Sequence, residues 1–128
     1  MYRSILAVCA GACAGALSRW GLALALNSLH RHMPLGTLAV NVLGGFAIGV
    51  LATIFDLHPD SAPEWRLLLI TGFLGAFTTF SAFSLEVIDL LRTGRAGWAF
   101  LTVALHLFGS LLCVAIGFSL VLWLRRSG

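Results

Sequence analysis

The sequence predicts an all-α membrane protein whose subunit contains four transmembrane helices. Hydrophobic residues make up 59% of the 128 residues and charged residues only 10%, whereas a soluble domain carries roughly 25% charged residues. Four apolar segments are visible, and each is longer than the roughly 20 residues that cross a bilayer as a helix. We therefore expect a multi-pass protein that forms a single four-helix transmembrane domain over residues 1–128.

The four apolar segments cover residues 4–29, 35–55, 65–91 and 98–124. Short polar connectors separate them, and Pro34 and Pro63 stand at connector ends, where proline favours the start of a helix. The stretch from Arg3 to Ala16 resembles a signal peptide. Because three further apolar segments follow it, we expect that this stretch is not cleaved.

The basic residues set almost no preferred orientation in the membrane. Four membrane crossings put both termini on one side, and the connector arginines then divide four against three: Arg3, Arg66, Arg125 and Arg126 against Arg31, Arg92 and Arg95. An arginine excess on the cytoplasmic side normally fixes topology. The near balance favours insertion in both orientations and an antiparallel homodimer. The alternative is that the one extra arginine fixes a single topology.

Composition also excludes several classes of protein. The eight basic residues are scattered arginines, whereas nucleic-acid binding needs clustered phosphate contacts. Cys9, Cys13 and Cys113 lie in apolar segments, so we expect small reduced core residues and neither a disulfide framework nor a metal site. No nucleophile–base pair is apparent, so an enzyme is not expected.

The third segment combines glycines and hydroxyls at membrane depth. Gly72 and Gly75 weaken a helix, and the hydroxyls of Thr78 and Thr79 compete for backbone carbonyls. The helix either breaks near Gly75–Thr78 or continues with packing glycines, and the spacing favours neither. A break would free carbonyl oxygens that suit a hard cation such as Na⁺.

Two phenylalanines follow this point. Phe80 and Phe83 are three residues apart and share a helix face. Aromatic rings carry a positive edge, so ring edges turned into a cavity would stabilise a small anion without a full positive charge. The alternative is a pair of ordinary core phenylalanines.

Polar side chains elsewhere in the spans form a possible hydrogen-bonding track. A polar group in hydrocarbon is costly unless it is paired, so each either bonds across helices or lines a wet path. Thr37 and Asn41 are one turn apart, as are His106 and Ser110, and Ser81 lies beside the phenylalanine pair.

Arg19 and Glu86 are the charged residues deepest in the apolar segments. An arginine inside a span costs roughly 2.5–3.5 kcal/mol on translocon scales. Arg19 would attract anions at a vestibule, or it would pair with Glu86 or Asp89. Glu86 would then be structural or would lie on the same side as the phenylalanines.

With these residues the chain closely resembles the Fluc (CrcB) family of fluoride channels over nearly its whole length. The motifs that carry the resemblance are residues 15–20 (GALSRW), residues 36–44 (GTLAVNVLG), the Gly-x-x-Gly-x-x-Thr-Thr-Phe-Ser-x-Phe pattern of residues 72–83, and His106-x-x-x-Ser110. His106 departs from the pattern, because many members carry tyrosine there.

The resemblance implies passive export of fluoride through two narrow pores of a dual-topology homodimer in a bacterial cytoplasmic membrane. It implies that the edges of Phe80 and Phe83 face fluoride, that Asn41 is a pore-lining donor, and that Arg19 lies at the vestibule. Gly75 and Thr78 would offer backbone carbonyls to a central structural Na⁺. The polar track would consist of Thr37, Ser81, Ser110 and His106.

Two other functions compete with this interpretation. A small multidrug exporter also has four spans and dual topology, but proton-coupled cation export favours an embedded carboxylate in the first helix. This chain has Arg19 there and no acid before Asp56. An accessory membrane subunit without transport is the second alternative, which fluoride flux through the purified protein would exclude.

Overall fold

The computed structural model describes residues 1–128, and the chain is helical throughout apart from short connectors. Four helical stretches are long and apolar enough to cross a membrane: Tyr2–Leu29, Leu35–Leu57, Pro63–Arg92 and Ala96–Ser127. The prediction of an all-α protein with four membrane-spanning helices is confirmed. We refer to these stretches as the first to fourth spans.

The first span consists of helix α1 (Tyr2–Leu26) and a 3-10 turn (Asn27–Leu29), and the second span is helix α2 (Leu35–Leu57). The side chain of Asn27 links the two spans. Its Oδ1 accepts a hydrogen bond of 2.8 Å from the N–H of Gly36, a group in the first turn of α2 that has no partner within the helix. The polar end of α2 is thus capped from the preceding turn.

The third span is divided into several helical pieces. Helix α3 (Pro63–Arg66) leads into a π-helical segment (Leu67–Leu74), a short helix α4 (Gly75–Phe77) and helix α5 (Phe80–Arg92). Pro63 occupies the start of α3, where its missing N–H costs nothing. The wide turn ends at Gly75, whose N–H reaches the carbonyl of Ile70 five residues earlier. Such widened turns are rare and are frequent at functional sites.

The fourth span is helix α6 (Ala96–Ser127), which follows α5 after a tight turn. Gly94 has φ of +73°, a left-handed conformation that glycine adopts without strain. The N–H of Gly94 bonds to the carbonyl of Leu91 (3.0 Å), and the N–H of Arg95 bonds to the carbonyl of Leu90 (2.8 Å). This pair of bonds closes the end of α5 and reverses the chain.

Helices α2 and α6 run side by side with their backbones in close approach. A Cβ atom at Gly45 would lie 2.9 Å from the carbonyl oxygen of Ser110. Cβ atoms at Gly49 and Gly117 would collide with the carbonyl oxygens of Val114 and Phe46. Small residues at helix contacts in membranes allow such packing, and here they fix which residues of α2 and α6 lie opposite one another.

Helix α1 packs against the third span through a second pair of glycines. Gly11 and Gly15 are buried against backbone atoms of Gly72 and Phe73. Cys9 and Cys13 each lie two residues from a packing glycine, about 200° around the helix, and both are free and exposed in this chain. The prediction that they are core residues is therefore wrong, because the glycines occupy the buried face of α1.

Candidate functional site

The regular helix of the third span is interrupted at Thr78 and Thr79. The backbone of Thr78 (φ −81°, ψ 159°) and that of Thr79 (φ −153°, ψ 118°) are both extended. The Thr78 N–H and hydroxyl both donate to the carbonyl of Leu74, at 3.0 and 2.9 Å. The Thr79 hydroxyl accepts the N–H of Ala82 (3.2 Å) and so caps α5.

Asn41 of α2 holds this interruption from outside the third span. Its Oδ1 accepts the N–H of Thr79 (2.8 Å), and its Nδ2 donates to the carbonyl of the same residue (2.9 Å). One amide side chain therefore replaces the two backbone partners that Thr79 lacks. Thr79 is only 8% exposed, so unpaired backbone groups at this depth would cost free energy.

Two carbonyl oxygens lose their helical donors at the interruption. The N–H four residues after Gly75 belongs to Thr79, and it donates to Asn41. The N–H four residues after Thr78 belongs to Ala82, and it donates to the Thr79 hydroxyl. The backbone carbonyls of Gly75 and Thr78 are thus left without the hydrogen bonds that a continuous helix would supply.

A groove of about 650 Å³ opens beside the interruption. Both phenylalanines and the two residues with freed carbonyls line it, together with polar residues of α2 and α6. Of the residues that the sequence singled out, those lining the groove are Asn41, Gly75, Thr78, Phe80, Phe83, His106 and Ser110. The remaining wall is largely apolar, so the groove combines a hydrophobic lining with a few convergent polar groups, as ligand sites do.

Three rings form a row along this groove. Phe80 meets Phe83 edge to face with centroids 5.4 Å apart, and Phe83 stacks on His106 with centroids 4.5 Å apart. Phe80 is 79% exposed although it lies at mid-span. The stacking on His106 covers one face of the Phe83 ring.

His106 has a defined tautomer and an unpaired nitrogen. Its Nδ1 lies 3.0 Å from Asn41 Nδ2, which is a donor because Asn41 Oδ1 accepts the Thr79 N–H. Nδ1 therefore accepts, and the ring proton resides on Nε2. His106 is 5% exposed, and its Nε2 has no partner. A buried N–H donor is thus left unsatisfied at the groove.

The remaining predicted residues lie at the edges of this arrangement. Buried Thr37 donates to Glu86 Oε1, while Glu86 Oε2 is buried without a partner. Glu86 thus bonds to α2 and not to Arg19, which is half-exposed and forms no ion pair. Ser81 is exposed, and its Oγ lies 3.3 Å from Thr79 Oγ1.

Sequence reasoning treated Thr79 only as a hydroxyl that competes for backbone carbonyls, and it gave Thr102 no role. Thr79 supplies both its backbone groups to Asn41 and its hydroxyl to the cap of α5. Thr102 lies one turn before His106, is 0% exposed, and its hydroxyl has no partner. The sequence does contain a signal for Thr102. It lies four residues before His106 and eight before Ser110, so the three residues share one helix face.

Comparison with known proteins gives consistent results over the whole chain. The family model described as "CrcB-like protein, Camphor Resistance (CrcB)" matches residues 6–118. A protein of Chromobacterium violaceum named "Fluoride-specific ion channel FluC" is 54% identical over 126 residues, covering 98% of this chain and 100% of the relative. Proteins with the same name from Pseudomonas paraeruginosa and Tolumonas auensis are 52% and 50% identical, covering 97% and 99% of this chain and 98% and 100% of their own lengths.

Proposed function

We propose that this chain, which belongs to the CrcB family, is a fluoride-specific ion channel that lets fluoride leave the cell passively across the cytoplasmic membrane. The observation that carries the proposal is 54% identity over 98% of the chain with a protein named as such a channel. The activity is transport through a multi-pass membrane protein, so the chain is not an enzyme.

The chemistry of the groove supports fluoride as the ion. Fluoride is small and strongly hydrated, so a pore must replace its water with several contacts of moderate strength. The unpaired Nε2–H of His106 is a neutral donor, and the edges of Phe80 and Phe83 add weak positive potential. No lysine or arginine lines the groove, so an ion that enters is not held by a full charge.

A second copy of the chain would complete the pore. Phe80 and Gly75 are exposed although they line the groove at mid-span, and an opposing subunit would cover this side. The nearly even distribution of arginines favours a partner inserted in the opposite orientation. An antiparallel homodimer would then hold two pores, one along the groove of each subunit.

The carbonyls freed at the interruption suit a structural Na⁺ at the centre of that dimer. The oxygens of Gly75 and Thr78 have lost their helical donors to Asn41 and to Thr79. Hard cations in membrane proteins are coordinated by carbonyls at such unwound points. One subunit would supply two oxygens and its partner two more, so the ion would tie the subunits together without taking part in conduction.

Fluoride efflux from liposomes containing only this protein tests the function. With potassium fluoride inside, a potassium ionophore supplies the compensating charge, and an electrode records external fluoride. We expect rapid efflux of fluoride and none of chloride, with no requirement for a proton gradient. Absence of fluoride efflux, or efflux only when protons are exchanged, would contradict the proposal.

Two further measurements address the dimer and the ion. A protease site at the C-terminus should be cleaved from outside in about half of the copies in sealed vesicles, because dual topology places both orientations in one membrane. Uniform cleavage or uniform protection would contradict dual topology. Replacement of Na⁺ by a large organic cation should reduce fluoride flux, and wild-type flux after complete removal would contradict the structural role of Na⁺.

A further inference from the structure

Two histidines and a tryptophan pack together at one membrane surface, apart from the groove. His30 and His32 belong to the connector between the first and second spans, and Trp98 lies in the first turn of α6. The ring centroids of His30 and Trp98 are 5.0 Å apart, those of His32 and Trp98 are 5.4 Å apart, and the two imidazoles meet edge to face at 6.2 Å. We call these three residues the connector cluster.

His30 holds the connector through its ring nitrogen. Its Nδ1 accepts hydrogen bonds from the backbone N–H groups of His32 (3.2 Å) and Met33 (3.0 Å). An imidazole nitrogen accepts only when it carries no proton. A proton on Nδ1 would oppose these two backbone donors, so protonation of His30 removes both bonds that shape the connector.

The surroundings of His32 also favour the uncharged cluster. Its side chain is half-exposed, but Nδ1 is shielded from solvent and has no partner. The pKa of His32 lies below its ordinary value, first because burial disfavours the charged ring and then because Arg95, Arg31 and His30 are close to it. Neither arginine has an acidic partner.

The sign of the pH effect follows from the hydrogen bonds of His30. A proton can occupy Nδ1 of His30 only after the N–H groups of His32 and Met33 have left it, so acid favours the open connector. The lowered pKa of His32 acts in the same direction, because His32 takes up a proton more readily when the cluster is open. The closed form therefore has its full stability above the ordinary histidine range and loses it as the pH falls through about 6.5 and below.

The connector cluster joins the starts of the two helices that line the groove. Met33 is buried and is followed by Pro34, the residue that immediately precedes α2. Thr37 and Asn41 lie one and two turns beyond, and His106 lies two turns after Trp98 on α6. Opening of the cluster would free the ends of α2 and α6 whose alignment places Asn41 beside His106.

We propose that His30 is a positioning residue whose neutral imidazole closes the connector onto α6, and that acid opens this contact and reduces conduction. The proposal rests on the proposed fluoride channel only for its second half. The first half concerns the conformation of the connector and has a readout that does not depend on flux.

Flux and hydrogen exchange at two pH values test the proposal. Acidification from pH 7.5 to pH 5.5 on both sides should lower wild-type fluoride flux roughly 5-fold, and it should reduce the protection of the Met33 and His32 amide protons. Protein-free vesicles at each pH give the leak of neutral hydrogen fluoride, which is subtracted.

Three variants separate titration of His30 from its structural role. His30→Asn keeps an acceptor oxygen near the position of Nδ1 but cannot titrate, so its flux at pH 7.5 should be preserved and should change less than about 2-fold at pH 5.5. His30→Ala removes the acceptor and should give low flux at both pH values. His58→Asn is the matched control, because His58 is an exposed histidine of another connector, and it should retain the wild-type pH response.

The outcomes distinguish this proposal from the channel itself. Wild-type flux that is equal at both pH values, or a full acid response in His30→Asn, would overturn the link to conduction. Met33 protection that is unchanged by acid would overturn the opening of the connector. If the protein shows no fluoride flux at any pH, the proposed function fails, and the exchange of Met33 still decides whether His30 closes the connector.

Discussion

The interface between α2 and α6 and the interrupted third span both contain glycines, but the glycines act in opposite ways. At the interface, a side chain at Gly49 or Gly117 would collide with a carbonyl oxygen of the facing helix. In the third span, a Cβ atom at Gly75 would meet only the carbonyl of Ile70, at 3.8 Å. The first glycines permit close packing, whereas nothing in this chain requires Gly75 to be small.

The residues around each glycine account for this difference. Gly49 is flanked by aliphatic residues, and the α2 ladder continues past it. Gly75 is followed by Thr78 and Thr79, and Asn41 of the neighbouring helix takes over the backbone groups of Thr79. The third span can therefore unwind after Gly75, because the Asn41 amide replaces the hydrogen bonds that the backbone of Thr79 loses.

Removal of the Asn41 amide donor should have the largest effect on the interrupted region. Asn41→Asp loses the donor to the Thr79 carbonyl and to His106, and it places negative charge beside the anion path. Each lost buried bond costs about 1–3 kcal/mol, so we expect fluoride flux to fall about 100-fold or more. Liposome efflux measures the change.

Asn27→Asp is the matched control for that variant. Asn27 uses only its Oδ1, as an acceptor for the Gly36 N–H, and aspartate retains this acceptor. Its flux should stay near the wild-type value. Near-normal flux in Asn41→Asp would contradict the role of Asn41 at the interruption.

Alanine at two glycines tests the contrast between the regions directly. Gly49→Ala should destabilise the fold by about 1–3 kcal/mol, because the added methyl overpacks the α2–α6 interface. Gly75→Ala should leave the thermal stability of the subunit nearly unchanged but impair fluoride flux, since the proposed dimer contact and Na⁺ site lie there. Thermal unfolding in detergent and liposome efflux separate the two effects. A large loss of thermal stability in Gly75→Ala, with little loss in Gly49→Ala, would contradict the account.

The phenylalanine edges should contribute an intermediate effect. Phe80→Ile and Phe83→Ile keep apolar volume but remove the ring edge and the aromatic pair of Phe80 with Phe83, a pair worth about 0.5–1.5 kcal/mol, so flux should fall roughly tenfold in each. Phe100→Ile is the control, because Phe100 is an exposed phenylalanine of α6 outside the groove. Unchanged flux in both groove variants would show that ring edges do not bind the ion.

Arg19 should have the smallest effect, limited to attraction of the anion. Arg19→Gln removes a half-exposed charge without an acidic partner, so flux should fall about twofold at low ionic strength. The difference should disappear near 1 M salt, where charges are screened within about 3 Å. A loss of flux that persists at high salt would assign Arg19 a structural role instead.

The sequence predicted the four spans because hydropathy and length depend on local composition alone. It also drew attention to Asn41, Phe80, Phe83 and His106, which line one groove. It left open whether the third span is continuous, because the interruption depends on Asn41, 38 residues away along the chain. The bond between Thr37 and Glu86 was not foreseen for the same reason, since it joins α2 to α5.

The faces of α1 show a second limit of local patterns. Cys9 and Cys13 have the spacing of a helix face, but spacing does not reveal which face is buried. The contact of Gly11 and Gly15 with the third span decides this, and only the packed helices contain that information.

The reversal potential of currents through the purified protein in a planar bilayer tests the central claim most directly. With a fluoride gradient across the membrane and equal chloride on both sides, we predict that current reverses at the equilibrium potential of fluoride. Reversal at zero voltage, or the absence of any protein-dependent current, would contradict the account.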